Sequence, residues 1–255
     1  MVTWHGEPRT HAVLPALAAV GVRHVFTTRH QGSFDAVSAP AGPFGNDRRW
    51  PALSAVGLES RSVRYVRQVH GNACLDADGT DAGGLIGTGD ALFTRQRARP
   101  LAIFTADCVP LIVVDPERPA LGMAHAGWRG TVCGIAGRLV EALIERAGAR
   151  ADRLRAAIGP SIGPCCYEVD EPVVGPLRAA FPSASERWLR PAAPARHGHW
   201  WLDLWAANAD QLAAAGVPPD AIANPRLCTG CRRDLFFSYR KEGLAGRLAT
   251  IAAVD

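Results

Sequence analysis

Residues 101–130, LAIFTADCVPLIVVDPERPALGMAHAGWRG, decide the fold. Short apolar runs alternate there with turn signals, and Asp115-Pro116 stops one of them. Runs of this length suit buried strands better than helices. With one run just upstream, the strand candidates are Ala91–Phe93, Leu101–Phe104, Leu111–Val114 and Leu121–Ala124. The middle of the chain is therefore predicted to be a β-sheet.

Helices are predicted on the C-terminal side of this sheet. Apolar residues at helical spacing follow Gly130, so we expect one helix with Thr131 as its N-cap, ending before Gly148. A second helix is expected over Leu204–Ala215, with Asp203 as its N-cap. A sheet followed by helices in this order is typical of a protein that mixes α and β structure.

One domain is predicted for residues 1–255. The chain is 48% hydrophobic and 20% charged, so it can bury a substantial core without metal or disulfide staples. It shows no linker and no internal repeat. Gly, Pro, Ser, Asn and Asp punctuate the stretch Gly32–Pro51, which predicts a long loop that could cover a site as a lid.

Charge and cysteine usage limit the functional classes. The net charge of +4 is modest and the arginines are scattered, so no nucleic-acid patch is expected. No stretch of 18 apolar residues occurs, and Met1–Thr10 lacks the apolar core of a signal peptide. The seven cysteines are odd in number and dispersed, which is typical of reduced thiols. We expect a cytoplasmic protein that does not bind membranes.

Three metal-type side chains stand beside predicted turns: His70, Cys108 and His125. If their strands are neighbours in one sheet, the three converge on one point. Two imidazoles and one thiolate with an open fourth position are the ligand set of catalytic zinc. Without a metal, the same trio makes Cys108 a nucleophile activated by a histidine. A single histidine or cysteine of this kind is often only a turn or core residue. The hypothesis of a shared site therefore rests on the position of all three at strand ends.

Residues 127–130, Gly-Trp-Arg-Gly, precede the first predicted helix. Glycines let a backbone approach a ligand, a helix start offers free N–H groups, and Arg129 adds a fork, so the segment is a candidate anion cradle. A tight turn with Trp128 packed in the core explains it equally well.

The remaining cysteines form two short motifs. Cys228 and Cys231 have CxxC spacing, but no second pair with ligand spacing accompanies them, so we interpret the spacing as packing or incidental. Cys165 and Cys166 lie in a predicted turn, where a structural role is expected.

Together these segments resemble one family, variously called laccase-domain, multicopper polyphenol oxidoreductase, peptidoglycan editing factor, or YfiH-like purine nucleoside phosphorylase. The resemblance runs from Phe26 to Ile251, and its two central motifs are highly specific. The matching segments are Phe26–Arg29, Gln68–Gly71, Ala106–Pro110, Ala124–Gly130, Ala157–Pro160, Tyr167–Val169, Asp203-Leu204, Cys228-Thr229, Phe237–Arg240 and Gly246-Arg247. The chain departs from the family pattern after Arg29, at residues 30–33.

The resemblance implies a single α/β domain (α+β mixed) of layered mixed β-sheets flanked by helices, with a YfiH-like, cysteine-hydrolase-like fold. It also implies a zinc or copper ion on His70, Cys108 and His125. It implies phosphorolysis of adenosine, inosine and S-methyl-5′-thioadenosine, and deamination of adenosine. Arg29, Arg129 and the helix start near Thr131 are then expected to hold phosphate, and Asp107 to orient a ligand or move a proton. The partners are small molecules, a purine nucleoside and phosphate.

Rival functions keep the same residues. One is hydrolysis of an amide in a misassembled cell-wall precursor, UDP-MurNAc-L-serine. Another is polyphenol oxidation, for which the sequence lacks the imidazole pairs that four coppers need. A third is a catalytically silent binding protein. The sequence fixes neither the native metal, since a Cys/His site accepts zinc and copper, nor the oligomeric state.

Overall fold

The computed structural model describes residues 1–34, 51–79, 83–192 and 197–255. It confirms the mixed α/β class, with strands in layered sheets and helices against them. The predicted lid Gly32–Pro51 lies almost wholly outside the described residues.

The strands of the described residues are β1 (Thr3–His5), β2 (His11–Val13), β3 (Val22–Thr27), β4 (Arg64–Arg67), β5 (Cys74–Asp76), β6 (Gly84–Thr88), β7 (Ala91–Thr94), β8 (Leu101–Thr105), β9 (Val109–Asp115), β10 (Ala120–Ala126), β11 (Arg155–Ile158), β12 (Glu168–Asp170), β13 (Leu189–Pro191), β14 (His199–Leu202), β15 (Ile222–Ala223) and β16 (Leu248–Val254). The longest of these strands, with seven residues each, are β9 and β10 at the centre of the chain and β16 at its C-terminal end. The four predicted strands correspond to β7, β8, β9 and β10.

The helices of the described residues are α1 (Pro15–Ala18), α2 (Pro51–Ala55), α3 (Trp128–Val132), α4 (Ile135–Ala147), α5 (Glu171–Ala180), α6 (Ser185–Trp188), α7 (Leu204–Ala214) and α8 (Tyr239–Glu242). The second predicted helix is confirmed as α7, where Asp203 accepts a hydrogen bond from the Ala206 N–H at 2.9 Å.

The first predicted helix is wrong in one respect, because it is two helices. Gly134 adopts φ +72° between α3 and α4, a left-handed conformation that interrupts the helical backbone. Thr131 is therefore inside α3 rather than at an N-cap, and Gly127 caps that helix instead. The predicted end is confirmed, since Gly148 closes α4 with a left-handed C-cap.

The strands form three sheets. A seven-stranded sheet has the order β1-β2-β3-β16-β8-β4-β6, and a six-stranded sheet has the order β15-β11-β9-β10-β7-β5. The third is a small β12-β14-β13 sheet. Since β8 and β9 are consecutive in the chain but belong to different sheets, the link between them crosses from one layer to the other.

The two large sheets share a buried core. Ile103 of β8 and Val66 of β4 join Ile112 of β9 and Met123 of β10 in one apolar cluster, all at most 1% exposed. Burial of such side chains contributes about 1.5–3 kcal/mol each. This core fixes the position of the β8–β9 link relative to both layers.

Helix α4 covers the other face of the six-stranded sheet. Leu139 and Leu143 of α4 lie against Gly122 of β10, where a Cβ would approach the Leu139 Cδ1 to 2.6 Å. The missing side chain thus lets α4 sit close to β10, the strand that carries His125. No helix of the described residues has the length and apolar character required to span a bilayer.

Candidate functional site

His70, Cys108 and His125 meet at one point. One ligand atom from each, an imidazole nitrogen or the thiol sulfur, lies within 4.8 Å of the other two. The His70 and His125 rings are edge to face, with centroids 4.8 Å apart. His125 is buried, Cys108 is half-buried and His70 is exposed, so the cluster opens on the His70 side.

The three side chains come from two sheets, which corrects the expectation that one sheet carries them. His70 follows β4 of the seven-stranded sheet, and His125 lies near the end of β10 in the six-stranded sheet. Cys108 lies in the link between β8 and β9, where the chain crosses between layers. The site is thus built at the junction of the two layers.

The chain after β4 is held in place locally. The Gln68 side-chain amide pairs with the backbone of Phe104 in β8, donating to its carbonyl at 2.7 Å and accepting from its N–H at 2.8 Å. His70 then adopts φ +63°, an uncommon conformation for a residue with a side chain. This turn directs the imidazole back toward Cys108.

Asp90, which the sequence reading missed, organises the cluster. Its Oδ1 lies 2.8 Å from His125 Nδ1, and its carboxylate also accepts hydrogen bonds from the backbone N–H groups of Val69, His70 and Gly71. Burial alone would raise the pKa of Asp90, but these donors, with His125 foremost, lower it below its usual value. The fixed carboxylate leaves His125 Nε2 to face the cluster.

Cys108 and His125 shift each other's protonation. Burial would raise the pKa of Cys108, but the charge of His125 and hydrogen bonds from both histidines lower it to about 6. Burial would lower the pKa of His125, but the Cys108 thiolate and Asp90 raise it to about 9. Between these values the metal-free pair is a thiolate and an imidazolium.

Gly127 leaves the space that the cluster needs. A Cβ there would lie 2.8 Å from the Cys108 sulfur and 3.2 Å from His70 Cδ2. Any other residue would therefore displace two of the three side chains.

The donor set fits a zinc or copper ion. A thiolate and two imidazoles are borderline-soft ligands, and one imidazole is already oriented by a buried carboxylate. The open side of the cluster leaves room for a fourth ligand from a substrate or solvent. Thus His70, Cys108 and His125 are the residues that would hold the metal.

A cavity of about 210 Å³ adjoins the cluster, with His70 and Cys108 in its wall. Its aromatic lining comes from Trp128, Tyr167 and Tyr239, and its positive lining from Arg129 and Arg240. The cavity therefore combines aromatic faces with cationic groups beside the metal-type donors.

Two tyrosines in the cavity wall, Tyr239 and Tyr167, differ in their exposure to solvent. Tyr239 is 60% exposed, so its ring is accessible from solvent. Tyr167 is buried, and burial together with the Cys108 charge raises its pKa, so it stays a neutral hydroxyl. Tyr239 and Arg240, in the family-like segment near the C-terminus, were not among the predicted site residues.

Asp107 lines the cavity beside Cys108 but is already engaged. Its Oδ1 accepts a hydrogen bond from the Thr229 hydroxyl at 2.5 Å, and its Oδ2 accepts from the Arg240 N–H at 2.7 Å. It adopts φ +86°. These bonds tie the Cys108 link to the C-terminal segment that carries Tyr239 and Arg240.

Of the groups predicted to bind phosphate, Arg129 lines the cavity and Arg29 does not. Arg129 is exposed, lines the cavity, and has its guanidinium carbon 4.4 Å from the Trp128 ring centroid. Arg29 does not line the cavity; its guanidinium bonds Glu242 at 3.1 Å and lies over the Phe237 ring. The Thr131 side chain is fully buried and bonded to Asn208, so it faces away from the cavity.

The cysteine motifs form a second cluster. The sulfurs of Cys165, Cys166, Cys228 and Cys231 all lie within 4.8 Å of one another. Cys165 and Cys166 are adjacent to each other and lie more than 60 residues before Cys228, so they have no ligand spacing that the sequence could reveal. The interpretation of the CxxC spacing as packing or incidental stays a prediction.

Relatives of this chain carry related names. A purine nucleoside phosphorylase of Deinococcus radiodurans is 37% identical over 252 residues, covering 92% of this chain and 91% of that protein. The purine nucleoside phosphorylase YlmD of Geobacillus stearothermophilus is 45% identical over 160 residues. Adenosine deaminase RL5, from an unknown prokaryotic organism, is 42% identical over 166 residues. The last two matches cover 62% and 63% of this chain, and 57% and 60% of those relatives' lengths.

Solved structures share the whole fold. YlmD from Geobacillus stearothermophilus superposes with a TM-score of 0.85 at 32% identity, covering 100% of this chain and 99% of the other. The Bacillus licheniformis protein YfiH superposes with a TM-score of 0.83 at 27% identity, covering 96% and 97%. The family described as multi-copper polyphenol oxidoreductase laccase matches residues 45–255. The resemblance inferred from the motifs is thus confirmed, and the chain belongs to this laccase-domain, YfiH-like family.

Proposed function

We propose that the protein is a purine nucleoside phosphorylase that also deaminates adenosine, with a metal ion held by His70, Cys108 and His125. The observation that carries the proposal is the convergence of these donors beside a cavity lined by aromatic and cationic side chains. The names of the relatives, purine nucleoside phosphorylase and adenosine deaminase, support it. Its partners are then small molecules, a purine nucleoside and phosphate, in the cytoplasm.

In phosphorolysis, a phosphate oxygen forms a bond to the ribose C1′ while the bond from C1′ to the purine nitrogen breaks. The electron pair of that bond goes to the purine, which takes up a proton. Arg129 is positioned to bind the phosphate through its guanidinium, a fork that suits phosphate oxygens. The exposed Tyr239 ring offers a face on which the purine can stack.

In deamination, a water oxygen bonds to the purine C6 and the amino group leaves as ammonia. A zinc or copper ion held by His70, Cys108 and His125 would supply Lewis-acid activation of the water. The protein's own contribution is the fixed proton on His125 Nδ1, held by Asp90, and the neutral hydroxyl of Tyr167 in the cavity wall. The substrates we assign are adenosine, inosine and S-methyl-5′-thioadenosine.

The rival reactions have less support from the donor groups. Among the residues that the structure describes, metal-type clusters occur at two places, and one of them contains histidines, too few imidazoles for a four-copper oxidase. The lowered pKa of Cys108 would suit nucleophilic hydrolysis of a cell-wall precursor amide. Release of serine from UDP-MurNAc-L-serine by the metal-free protein would favour that rival.

Chromatography of products from adenosine tests the proposal. The zinc-loaded protein should yield adenine and ribose 1-phosphate with phosphate present, and inosine without it. In Cys108→Ser both activities should fall more than about 100-fold, since changes to groups that only orient a metal ligand already cost about 10–100-fold. Cys133 is an exposed thiol outside both clusters, so Cys133→Ser should leave both activities unchanged. Absence of all these products from the loaded wild type would reject the proposal.

A further inference from the structure

Four cysteines from two distant segments of the chain form a cluster of their own. Cys165 and Cys166 follow the turn at Gly163, while Cys228 and Cys231 flank Gly230 in the C-terminal segment. Cys231 Sγ lies 3.4 Å from Cys165 Sγ and 3.5 Å from Cys166 Sγ. All four are free thiols.

We propose that these four sulfurs bind a structural zinc ion, separate from the His70, Cys108 and His125 site. In a tetrahedral site with Zn–S bonds of about 2.3 Å, the sulfurs lie about 3.8 Å apart. Two of the observed separations are 3.4 and 3.5 Å and none exceeds 4.8 Å, so the four sulfurs lie at about the spacing that such a site requires. A disulfide would need about 2.05 Å, so the arrangement is that of four separate ligands.

The backbone prepares this cluster on both sides. The Gly163 N–H donates to Cys228 Sγ at 3.2 Å, a contact that favours the thiolate form. The Ser161 and Cys228 backbones form a parallel bridge, with the Thr229 N–H donating to the Ser161 carbonyl at 3.1 Å. The two ligand pairs are therefore held together by main-chain bonds that do not depend on a metal.

Gly230 supplies the close approach that the cluster requires. A Cβ at this position would lie 2.9 Å from Cys166 Cβ and 3.0 Å from its sulfur. The CxxC turn can thus close over Cys166 because its third residue has no side chain.

The surface cavity beside Cys166 is lined by two cations, Lys241 and Arg240, and by two carboxylates, Glu168 and Asp170. Charge is therefore balanced there, and the metal site is supported by the geometry of the four sulfurs.

Such an ion would brace the cavity wall. Thr229, next to Cys228, donates to Asp107, and Asp107 in turn accepts from the Arg240 N–H. Tyr167, next to Cys166, lines the cavity. The zinc would therefore join the two segments that carry Tyr167 and Arg240.

Metal analysis of protein variants tests the proposal. Protein expressed with zinc should hold one zinc ion per chain in addition to that of the histidine site, and His70→Ala should retain this ion. Cys231→Ser should lose it, while Cys133→Ser should keep it. A His70→Ala protein whose zinc content is unaffected by Cys231→Ser would overturn the proposal.

Two measurements on the wild-type chain do not depend on a variant folding. Cobalt in place of zinc should give intense sulfur-to-metal charge transfer and the visible bands of tetrahedral four-thiolate coordination. Alkylation of Cys165, Cys166 and Cys231 should be slower by at least about ten-fold in the zinc form than after chelation, since bound thiolates are withheld from the reagent. Cys133 should react equally in both. Absence of the four-thiolate spectrum, or equal alkylation with and without zinc, would refute the site.

Discussion

Asp90 Oδ1 lies 2.8 Å from His125 Nδ1, and this buried pair sets the orientation of the innermost ligand of the candidate site. The same carboxylate receives the N–H groups that precede and follow His70 along the chain. One side chain thus holds two members of the trio, one through its ring and the other through its backbone.

Replacing that carboxylate should weaken the metal site. Asp90→Asn keeps the size of the side chain but loses the charge that fixes the proton on His125 Nδ1. We expect metal affinity to fall about 10–100-fold, the usual effect of losing such a partner. Competition with a chromogenic chelator measures it. Asp152→Asn, in an exposed ion pair with Arg150, is the matched control and should bind metal like the wild type.

The metal-free thiolate should persist in mild acid. Because the pKa of Cys108 is lowered to about 6 from an ordinary 9.0, its alkylation rate should be high at neutral pH and should decline as the pH falls through about 6. His125→Asn removes the largest favourable contribution, so the midpoint should move upward toward the ordinary value. Peptide-resolved mass spectrometry follows the rate at Cys108 alone. A wild-type midpoint near 9 would contradict the proposed pairing.

A methyl group at residue 127 should block the cluster. In Gly127→Ala the new Cβ would lie 2.8 Å from the Cys108 sulfur, so we expect loss of metal binding and of activity. Gly137→Ala, on α4 with open space around it, is the control and should be neutral or stabilise by about 0.5–1 kcal/mol through helix propensity. Metal titration and thermal unfolding of both variants separate a blocked site from an unfolded chain. Unchanged metal affinity in Gly127→Ala would show that the metal does not bind beside residue 127.

Arg129 should distinguish the two proposed reactions. Deamination needs no phosphate, so Arg129→Gln should raise KM for phosphate about ten-fold or more while the rate of adenosine deamination changes little. Arg138→Gln, an exposed arginine on α4, should alter neither reaction. Equal loss of both activities in Arg129→Gln would assign Arg129 to the nucleoside or to the fold instead of to phosphate.

Tyr239 should matter through its ring. Tyr239→Ala removes the exposed aromatic face and should raise KM for adenosine several-fold, whereas Tyr239→Phe should keep it near the wild-type value. Steady-state kinetics with both variants give the comparison. If Tyr239→Phe raises KM for adenosine as much as Tyr239→Ala does, the hydroxyl rather than the ring is the important group.

The strands around the site could be predicted because their sequence signals are local. Apolar runs bounded by turn residues mark β7 to β10, and the Asp203 cap marks the start of α7. The ligand trio could also be proposed, since each member stands where a strand meets a turn.

The arrangement of sheets could not be predicted, because it depends on pairing between distant segments. β8 pairs with β16 and β4, whereas β9 pairs with β10 and β11, and no local signal separates the two layers. The break at Gly134 likewise depends on its positive φ, which a glycine within an apolar helical pattern does not reveal.

Two groups were missed for the same reason. Asp90 follows Gly89 and has the sequence signature of an ordinary turn residue, and only the fold brings it to His125. Cys165 and Cys166 lack CxxC spacing, so their partnership with Cys228 and Cys231 appears only when Ser161 and Cys228 are paired. For such groups the sequence supplies the donors, and tertiary contacts supply the site.

Metal stoichiometry tests the central claim most directly, that His70, Cys108 and His125 hold one ion together. Native mass spectrometry would count the ions on the wild type, His70→Ala and Cys108→Ser at a metal concentration that saturates the wild type. Each variant should carry one ion fewer than the wild type. Equal ion counts in all three proteins would contradict the claim.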